Sequence, residues 1–323
     1  MLTLNDIKKP VDSNLKEFDK LFREYMSSKV PLLNIITRYV LKTKGKQLRP
    51  ILVFLSAKLC GNANDATNVA AIVVELMHTA TLVHDDVVDD AHERRGFLSI
   101  NALWKSKVAV LMGDYLLAKG LLISLNNDQF GLLKTLSEAV EKMSEGELLQ
   151  LQKTRHLNTN ENDYFEIIES KTASLIAACT KSGCQSVTKN EEDIEKMYHY
   201  GLNIGMAFQI KDDLFDYEST TITGKPKGND IKEKKFTLPL IHALNVCGNK
   251  EKRKIKKLIS NGANNSAIQE VIQFVKNNGG VEYARKTMND YYQKAVDILI
   301  TYPDSEFKTS LLHLSEYITQ RKK

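Results

Sequence analysis

Apolar residues recur along most of this chain at the three- and four-residue intervals of an amphipathic helix, and no hairpin dipeptide joins two runs of strict alternation. One or two helices are predicted over 15–43, then a buried run at 51–60 and one long helix over 66–90. Further helices are predicted over 106–125, 131–153, 163–179, 191–217 and 230–245. From Lys250 to Lys323 amphipathic helices alternate with turns at Asn261-Gly262, Gly279-Gly280 and Pro303. Only 16 Gly and 6 Pro interrupt the 323 residues, no repeat of fixed period appears, and no linker divides the chain. The expectation is an all-α protein folded as a single domain over 1–323.

Two segments break the pattern. Lys42–Pro50, bracketed by Gly45 and Pro50, reads as a loop or helix entrance. Its Lys46 and Arg49 suit anion binding at a helix N-terminus, and the segment reads equally well as an ordinary basic turn. Glu218–Asn229 is the longest polar, breaker-rich stretch and directly follows an aspartate cluster, where loops often act as lids.

Composition narrows the class. Hydrophobic content of 42% is ordinary for a soluble globular protein, and the net charge of +5 comes from basic and acidic residues mixed along the chain, so no nucleic-acid partner is expected. Cys60, Cys179, Cys184 and Cys247 have no metal-ligand spacing and suggest no disulfide framework. The first twenty residues contain Asp6, Asp12, Glu17 and Asp19 without a continuous apolar stretch, which predicts neither a signal nor a transit peptide. The most apolar window, Val108–Leu125, is interrupted by Asp114 and Lys119 and reads as a core helix rather than a membrane span. A cytoplasmic location is expected.

The chemistry concentrates in Leu82-Val-His-Asp-Asp-Val-Val-Asp-Asp-Ala-His-Glu-Arg-Arg-Gly96. On a helix Asp85 and Asp89 share one face, and Asp86 and Asp90 repeat that spacing one position round. Like charges so placed cost an isolated helix roughly 0.2–0.5 kcal/mol per pair, so the cluster implies a cation above it. Magnesium fits, because it takes one or two carboxylates and keeps other positions for water and phosphate oxygens. Arg94 and Arg95 follow, suited to bidentate phosphate binding. Phe208-Gln-Ile-Lys-Asp-Asp-Leu-Phe-Asp216 repeats the spacing with Asp212, Asp213 and Asp216, flanked by Phe208, Ile210, Leu214 and Phe215. Solvated acidic helix ends are not usually packed that way, and two facing aspartate helices can clamp a metal cluster. His78, seven residues before Asp85, lies on nearly the same helix face, where it also reads as a core histidine. Lys171 interrupts an apolar run beside Thr172, a position from which lysines usually snorkel to solvent.

On these residues the chain resembles the all-trans polyprenyl diphosphate synthases of the long-chain, heptaprenyl or octaprenyl, type. The match runs from Gly45-Lys-Gln-Leu-Arg-Pro50 through the first aspartate cluster, Gly113-Asp114, Gly146-Glu147, Gln150, Lys171-Thr172 and Phe208-Gln209 to the second cluster, Lys225 and the stretch from Asp230 to Pro239. The resemblance implies an antiparallel helical bundle around a deep central cavity, paired as a homodimer. It also implies three magnesium ions with Asp85, Asp89 and Asp212 as main ligands, and Asp86, Asp213 and Asp216 acting directly or through water. Lys46, Arg49, His78 and Arg95 match residues holding isopentenyl diphosphate, and Arg94, Lys171, Lys225 and Lys235 those holding the allylic diphosphate primer. Gln209 and Thr172 match residues near the reacting carbons. The implied reaction is a dissociative alkylation in a dry pocket, without a covalent nucleophile. Release of an apolar product leaves room for peripheral membrane contact.

One departure stands out: Lys234 occupies a position where the family usually has glycine, which leaves open whether Lys234 or Lys235 meets phosphate. Product length depends on how far the growing chain runs before a bulky floor. The fifth position before Asp85 lies about 7–8 Å deeper, and it is Ala80, beside the small Thr81, with Met77 a turn below. An open floor there predicts a long chain of about six to nine isoprene units, suited to a quinone side chain, with a geranylgeranyl or farnesyl producer as runner-up. A terpene cyclase should show Asn, Ser and Glu in its second motif, and a non-catalytic partner subunit usually lacks the aspartates. A di-iron bundle needs two Glu-x-x-His pairs, and only Glu75–His78 is present.

Overall fold

The computed structural model describes residues 3–43, 45–94, 96–218, 228–262 and 264–320, with the Arg94 side chain excepted. The N-terminal helices are α1 (Leu4–Lys8), α2 (Asp12–Tyr25), α3 (Pro31–Lys42) and α4 (Leu48–Cys60). The functional half of the bundle follows as α5 (Asp65–Val88), α6 (Ile100–Asn126), α7 (Phe130–His156), α8 (Glu161–Ile168), α9 (Ser174–Gln185) and α10 (Glu191–Leu214). After it come α11 (Asn229–Lys232), α12 (Leu238–Val246), α13 (Asn249–Ser260), α14 (Asn265–Asn277), α15 (Gly280–Ile300) and α16 (Glu306–Gln320). The all-α expectation holds. Among the described residues the strands are a two-residue hairpin, Glu93–Arg94 against Phe97–Leu98, turning at Gly96 with φ +78°.

Helix α5 is the central element. Asn64 caps it, accepting from the Thr67 amide while the Thr67 hydroxyl closes the box on the Asn64 amide. Its 24 residues span about 36 Å and bury nearly every face from Thr67 to Val83 between α4, α6 and α9. Outside this layer α10 packs on α9, α15 and α16, and one continuous apolar cluster links the N-terminal helices to α16. Helix α6 bends at Lys105, whose φ of +67° breaks the helical geometry one residue before the predicted start at Ser106.

Two expectations about boundaries need correction. Helix α5 stops at Val88, so Asp89 is its cap, and Asp90 leaves the helical face altogether with φ +47°. The predicted helix over 230–245 is interrupted after α11, because Lys234 turns left-handed at φ +59° and α12 begins only at Leu238, with Pro239 in its first turn.

Candidate active site

Helices α8 and α9 are joined by one π turn, Glu169–Ala173, rather than by an uninterrupted α-helix. Such turns insert an extra residue and re-aim the side chains they hold. Here those side chains are Lys171 and Thr172. The turn is gripped from both sides by glycines: a Cβ on Gly146 of α7 would sit 2.7 Å from the Ser170 Cβ, and one on Gly205 of α10 only 2.6 Å from the Ala173 Cα. Alanine at either place would force the helices apart, so both glycines set the distance from the turn to Glu147 and Gln209.

A cleft of about 670 Å³ opens between α5, α7, α9 and α10. Its polar wall is Arg49, His78, Thr81, Asp85, Glu147, Lys171, Thr172 and Gln209. Its apolar wall is Leu117, Val140, Met143, Leu148, Leu151, Leu175 and Phe208. Val140 precedes Glu147 by seven residues, about 10 Å along α7, so the apolar wall runs well below the charged mouth. An adjoining cavity of about 210 Å³ is lined by Gln150, Tyr164, Asp212, Asp213, Asp230, Lys235 and Phe236, and shares Lys171, Thr172 and Gln209 with the cleft.

A hydrogen-bond chain ties the two together. The Thr172 hydroxyl donates to Gln209 Oε1 (2.8 Å), Gln209 Nε2 donates to Asp213 Oδ1 (2.9 Å), and the Tyr164 hydroxyl donates to Asp213 Oδ2 (2.7 Å). Lys171 pairs with Glu147. Asp216 accepts from the amides of Asn229 (3.2 Å) and Asp230 (2.8 Å), which fastens the start of α11 to the second aspartate motif. Lys235 lines the smaller cavity and pairs with Glu233 Oε2 at 2.6 Å, whereas Lys234, which is not in that lining, donates from Nζ to the Ser260 carbonyl at 3.1 Å. The geometry therefore separates the two lysines: Lys235 faces the aspartates.

Among the described residues, burial and mutual repulsion govern the carboxyls of the second aspartate motif. Burial, then the neighbouring Asp230, pushes the Asp213 carboxyl well above its ordinary range. Burial and Asp216 push Asp230 up to about 7. Burial also raises Asp216, although three backbone amides hold it back. Burial lowers Lys235, yet Glu233, Asp230 and Asp89 together leave it raised, so Asp89 at the end of α5 acts on a lysine across the cavity. The Tyr164 hydroxyl is held protonated by burial and by Asp213.

The remaining sequence expectations divide. Asp85, Asp212, Asp213, Arg49, His78, Lys171, Thr172, Gln209 and Lys235 line the two cavities. Asp86 does not join them: one residue round the helix from Asp85, it is buried in a small pocket with Tyr39, Glu75 and His78 beneath the hairpin. Lys46 is exposed and donates to the Tyr317 hydroxyl of α16 at 2.9 Å, outside both linings. Thr81 is on the cleft wall, whereas Ala80 is fully enclosed and Met77 packs toward Gly120 of α6. Arg95, Lys225 and the Arg94 side chain lie outside the described residues, as does most of the expected lid. Two site residues were missed. Tyr164 takes its place from the hydrogen bond to Asp213, and Asp230 from the return of α11 onto Asp216.

All-α helices around a cleft with an aspartate motif on each of two facing helices define a class of diphosphate-handling enzyme. The Polyprenyl synthetase family matches residues 30–275, and the chain belongs to that family. It is 37% identical over 319 residues, 98% of this chain and 97% of the relative, to an all-trans-nonaprenyl-diphosphate synthase (geranyl-diphosphate specific) of Rhodobacter capsulatus. Among solved structures it resembles a polyprenyl synthase from Caulobacter crescentus complexed with calcium and isoprenyl diphosphate, with a TM-score of 0.91, 31% identity and coverage of 99% of this chain and 98% of that one. A geranylgeranyl pyrophosphate synthase from Bacteroides thetaiotaomicron aligns with a TM-score of 0.83 and 38% identity over 98% of each chain.

Proposed function

We propose that the chain is a prenyltransferase condensing isopentenyl diphosphate head-to-tail onto an allylic diphosphate to make a long all-trans polyprenyl diphosphate. The observation that carries this reading is the pair of aspartate motifs opening onto adjoining cavities that share Lys171, Thr172 and Gln209 and continue into an aliphatic wall.

The donor set suits a hard divalent ion. Carboxylate oxygens are the donors magnesium takes, one or two at a time, with water and phosphate oxygens completing its coordination. Asp85, Asp89 and Asp212 would hold the ions, which we set at three of magnesium, with Asp213 and Asp216 behind them. Bound magnesium neutralises charge on the departing diphosphate. Lys171 and Lys235 flank Asp212 and suit the allylic diphosphate; Arg49 and His78, across the cleft, suit isopentenyl diphosphate. The oxygen dipoles of Thr172 and Gln209 face the space where the allylic carbon becomes cationic. Attack by the isopentenyl double bond forms the new carbon–carbon bond, and a proton passes from the adduct to a diphosphate oxygen. The aliphatic wall keeps water from the cation.

Product length follows from the same wall. Phe208 is the one aromatic side chain among the described residues of that wall, which supports about six to nine units. The likeness to the Bacteroides geranylgeranyl enzyme keeps a four-unit product as the second reading. Helix α6 turns Val110, Leu111, Leu121, Leu122 and Leu125 outward, with Leu111 59% exposed, and an apolar face of that kind supports a homodimer. We assign the enzyme to the cytoplasm, in keeping with four free cysteines, none fully exposed. The test is product analysis after incubation with labelled isopentenyl diphosphate, magnesium and farnesyl or geranylgeranyl diphosphate. A ladder ending in one long product is expected; termination at four units overturns the length, and no elongation by folded protein overturns the reaction.

A further inference from the structure

The positive charge of this chain is unevenly held. Helix α13 carries Lys250, Lys252, Arg253, Lys254, Lys256 and Lys257 against Glu251 alone, so the other 311 residues hold 39 basic and 39 acidic side chains. This helix by itself accounts for the net +5.

Its geometry sorts those side chains. Ile255 and Ile259 are buried, at 2% and 0% exposure, and fix the inward face. Lys250, Arg253, Lys254 and Lys257, at intervals of three and four residues, form an exposed stripe on the opposite side. Lys254 is offset by Glu270 of α14 at 2.5 Å, while no acidic partner meets Lys250, Arg253 or Lys257 among the described residues. The half-buried lysine has a different task. Lys256 Nζ donates to the Leu157 carbonyl at the end of α7 (2.9 Å) and sits over the Phe236 ring (5.7 Å), which lines the smaller cavity. With the Lys234–Ser260 bond, this seats α13 on the rim of the active site. Val246, 56% exposed, ends α12 just before it.

We propose that α13 docks the enzyme on an anionic phospholipid bilayer. A convex stripe of unpartnered cations next to an exposed valine suits a flat, negatively charged surface. It has no aromatic side chains interleaved, as a nucleic-acid surface would. The purpose rests on the proposed function: a polyprenyl diphosphate is poorly soluble, and a bilayer held at the rim receives it. The contact itself needs no substrate and is tested without one.

The experiment is cosedimentation of the full chain with phosphatidylcholine vesicles, with and without phosphatidylglycerol, at about 0.1 M salt, where the Debye length is about 10 Å. Wild type should sediment with the phosphatidylglycerol vesicles only, and be released at 1 M salt. Each basic side chain near such a surface strengthens partitioning about fivefold, so the triple variant K250Q/R253Q/K257Q should bind about 100-fold more weakly. K250R/R253K/K257R should retain binding, because charge rather than identity acts. Prenyl transfer to a short soluble primer should be unchanged in both, which also reports folding. Wild type that stays in the supernatant, or a triple variant that sediments like wild type, overturns the proposal. Retention on a labelled single-stranded RNA without retention on vesicles overturns it too, assigning the stripe to another polyanion. Vesicle retention in a protein that forms no prenyl product sustains the contact while removing the proposed function.

Discussion

Replacing Tyr164 by phenylalanine removes one oxygen atom from a site it does not line with charge. That oxygen donates to Asp213 Oδ2 at 2.7 Å, and both residues are buried, at 3% and 7% exposure. Asp213 keeps its second bond from Gln209, so the carboxylate stays tethered at one oxygen and loses its partner at the other. A hydrogen bond to a charged group contributes about 1.5–3 kcal/mol, against about 1 for a neutral pair. The cost therefore falls on the ionised form of Asp213, which metal binding requires, and hardly on the protonated form that burial and Asp230 favour without metal. Tyr164→Phe should raise the half-saturating magnesium concentration about 10- to 150-fold, with kcat at saturating magnesium reduced much less. Its thermal midpoint in a chelator should fall by only a few degrees. The assay is the rate of labelled isopentenyl diphosphate incorporation over a magnesium titration, beside melts with and without the metal. A wild-type magnesium response would refute the reasoning, and so would an equal loss of stability with and without magnesium.

Other outcomes follow from the same geometry. Asp230 has its carboxyl raised from 3.8 to about 7 by burial and Asp216, so between those values the unfolded chain is ionised while the folded one is not. Metal-free stability should then fall as pH rises from about 4 to 7 and level off above, and Asp230→Asn should flatten that slope in urea melts at successive pH values. Because magnesium favours the ionised carboxylates, its stabilising effect should grow over the same interval. Lys234→Gly relieves a left-handed backbone at φ +59° and should stabilise the protein by about 0.5–1 kcal/mol with activity retained, whereas Lys235→Gln should raise the KM for the primer; activity lost in the first alone would reverse the assignment of the two lysines. Thr81 lies four residues, about 6 Å, before Asp85 on the cleft wall, so Thr81→Phe should cut the product to about three or four units with condensation intact, and an unaltered chain length would take Thr81 out of the floor.

Much of this arrangement was legible in the residues, and the failures have physical causes. Helical periodicity located nearly every long helix because apolar burial and helix geometry share one period. Asp85 and Asp212 were readable because the same aspartate spacing occurs twice, each time within an apolar periodic run. Asp86 and Asp90 were misjudged as face-sharing, since a period cannot tell where α5 ends or that Asp86 turns under the hairpin. The break at Lys234 was invisible because lysine carries no signal for a left-handed backbone, although the usual glycine there pointed to one. Tyr164 and Asp230 take their roles from contacts 49 and 14 residues away in sequence, which no local pattern encodes.

The π turn at Glu169–Ala173 has a consequence beyond the two side chains it aims. One added residue rotates everything after it by about 100° relative to an uninterrupted helix. The faces that α8 and α9 bury are thus out of phase with each other, and deleting a single residue would bring them into phase. Such a deletion would heal the hydrogen-bond ladder and carry Lys171 away from Glu147 or α9 off its packing face, but not spare both. The helix is locally less regular so that one side of it serves the core and the other the chemistry, and the irregularity is where those two demands meet.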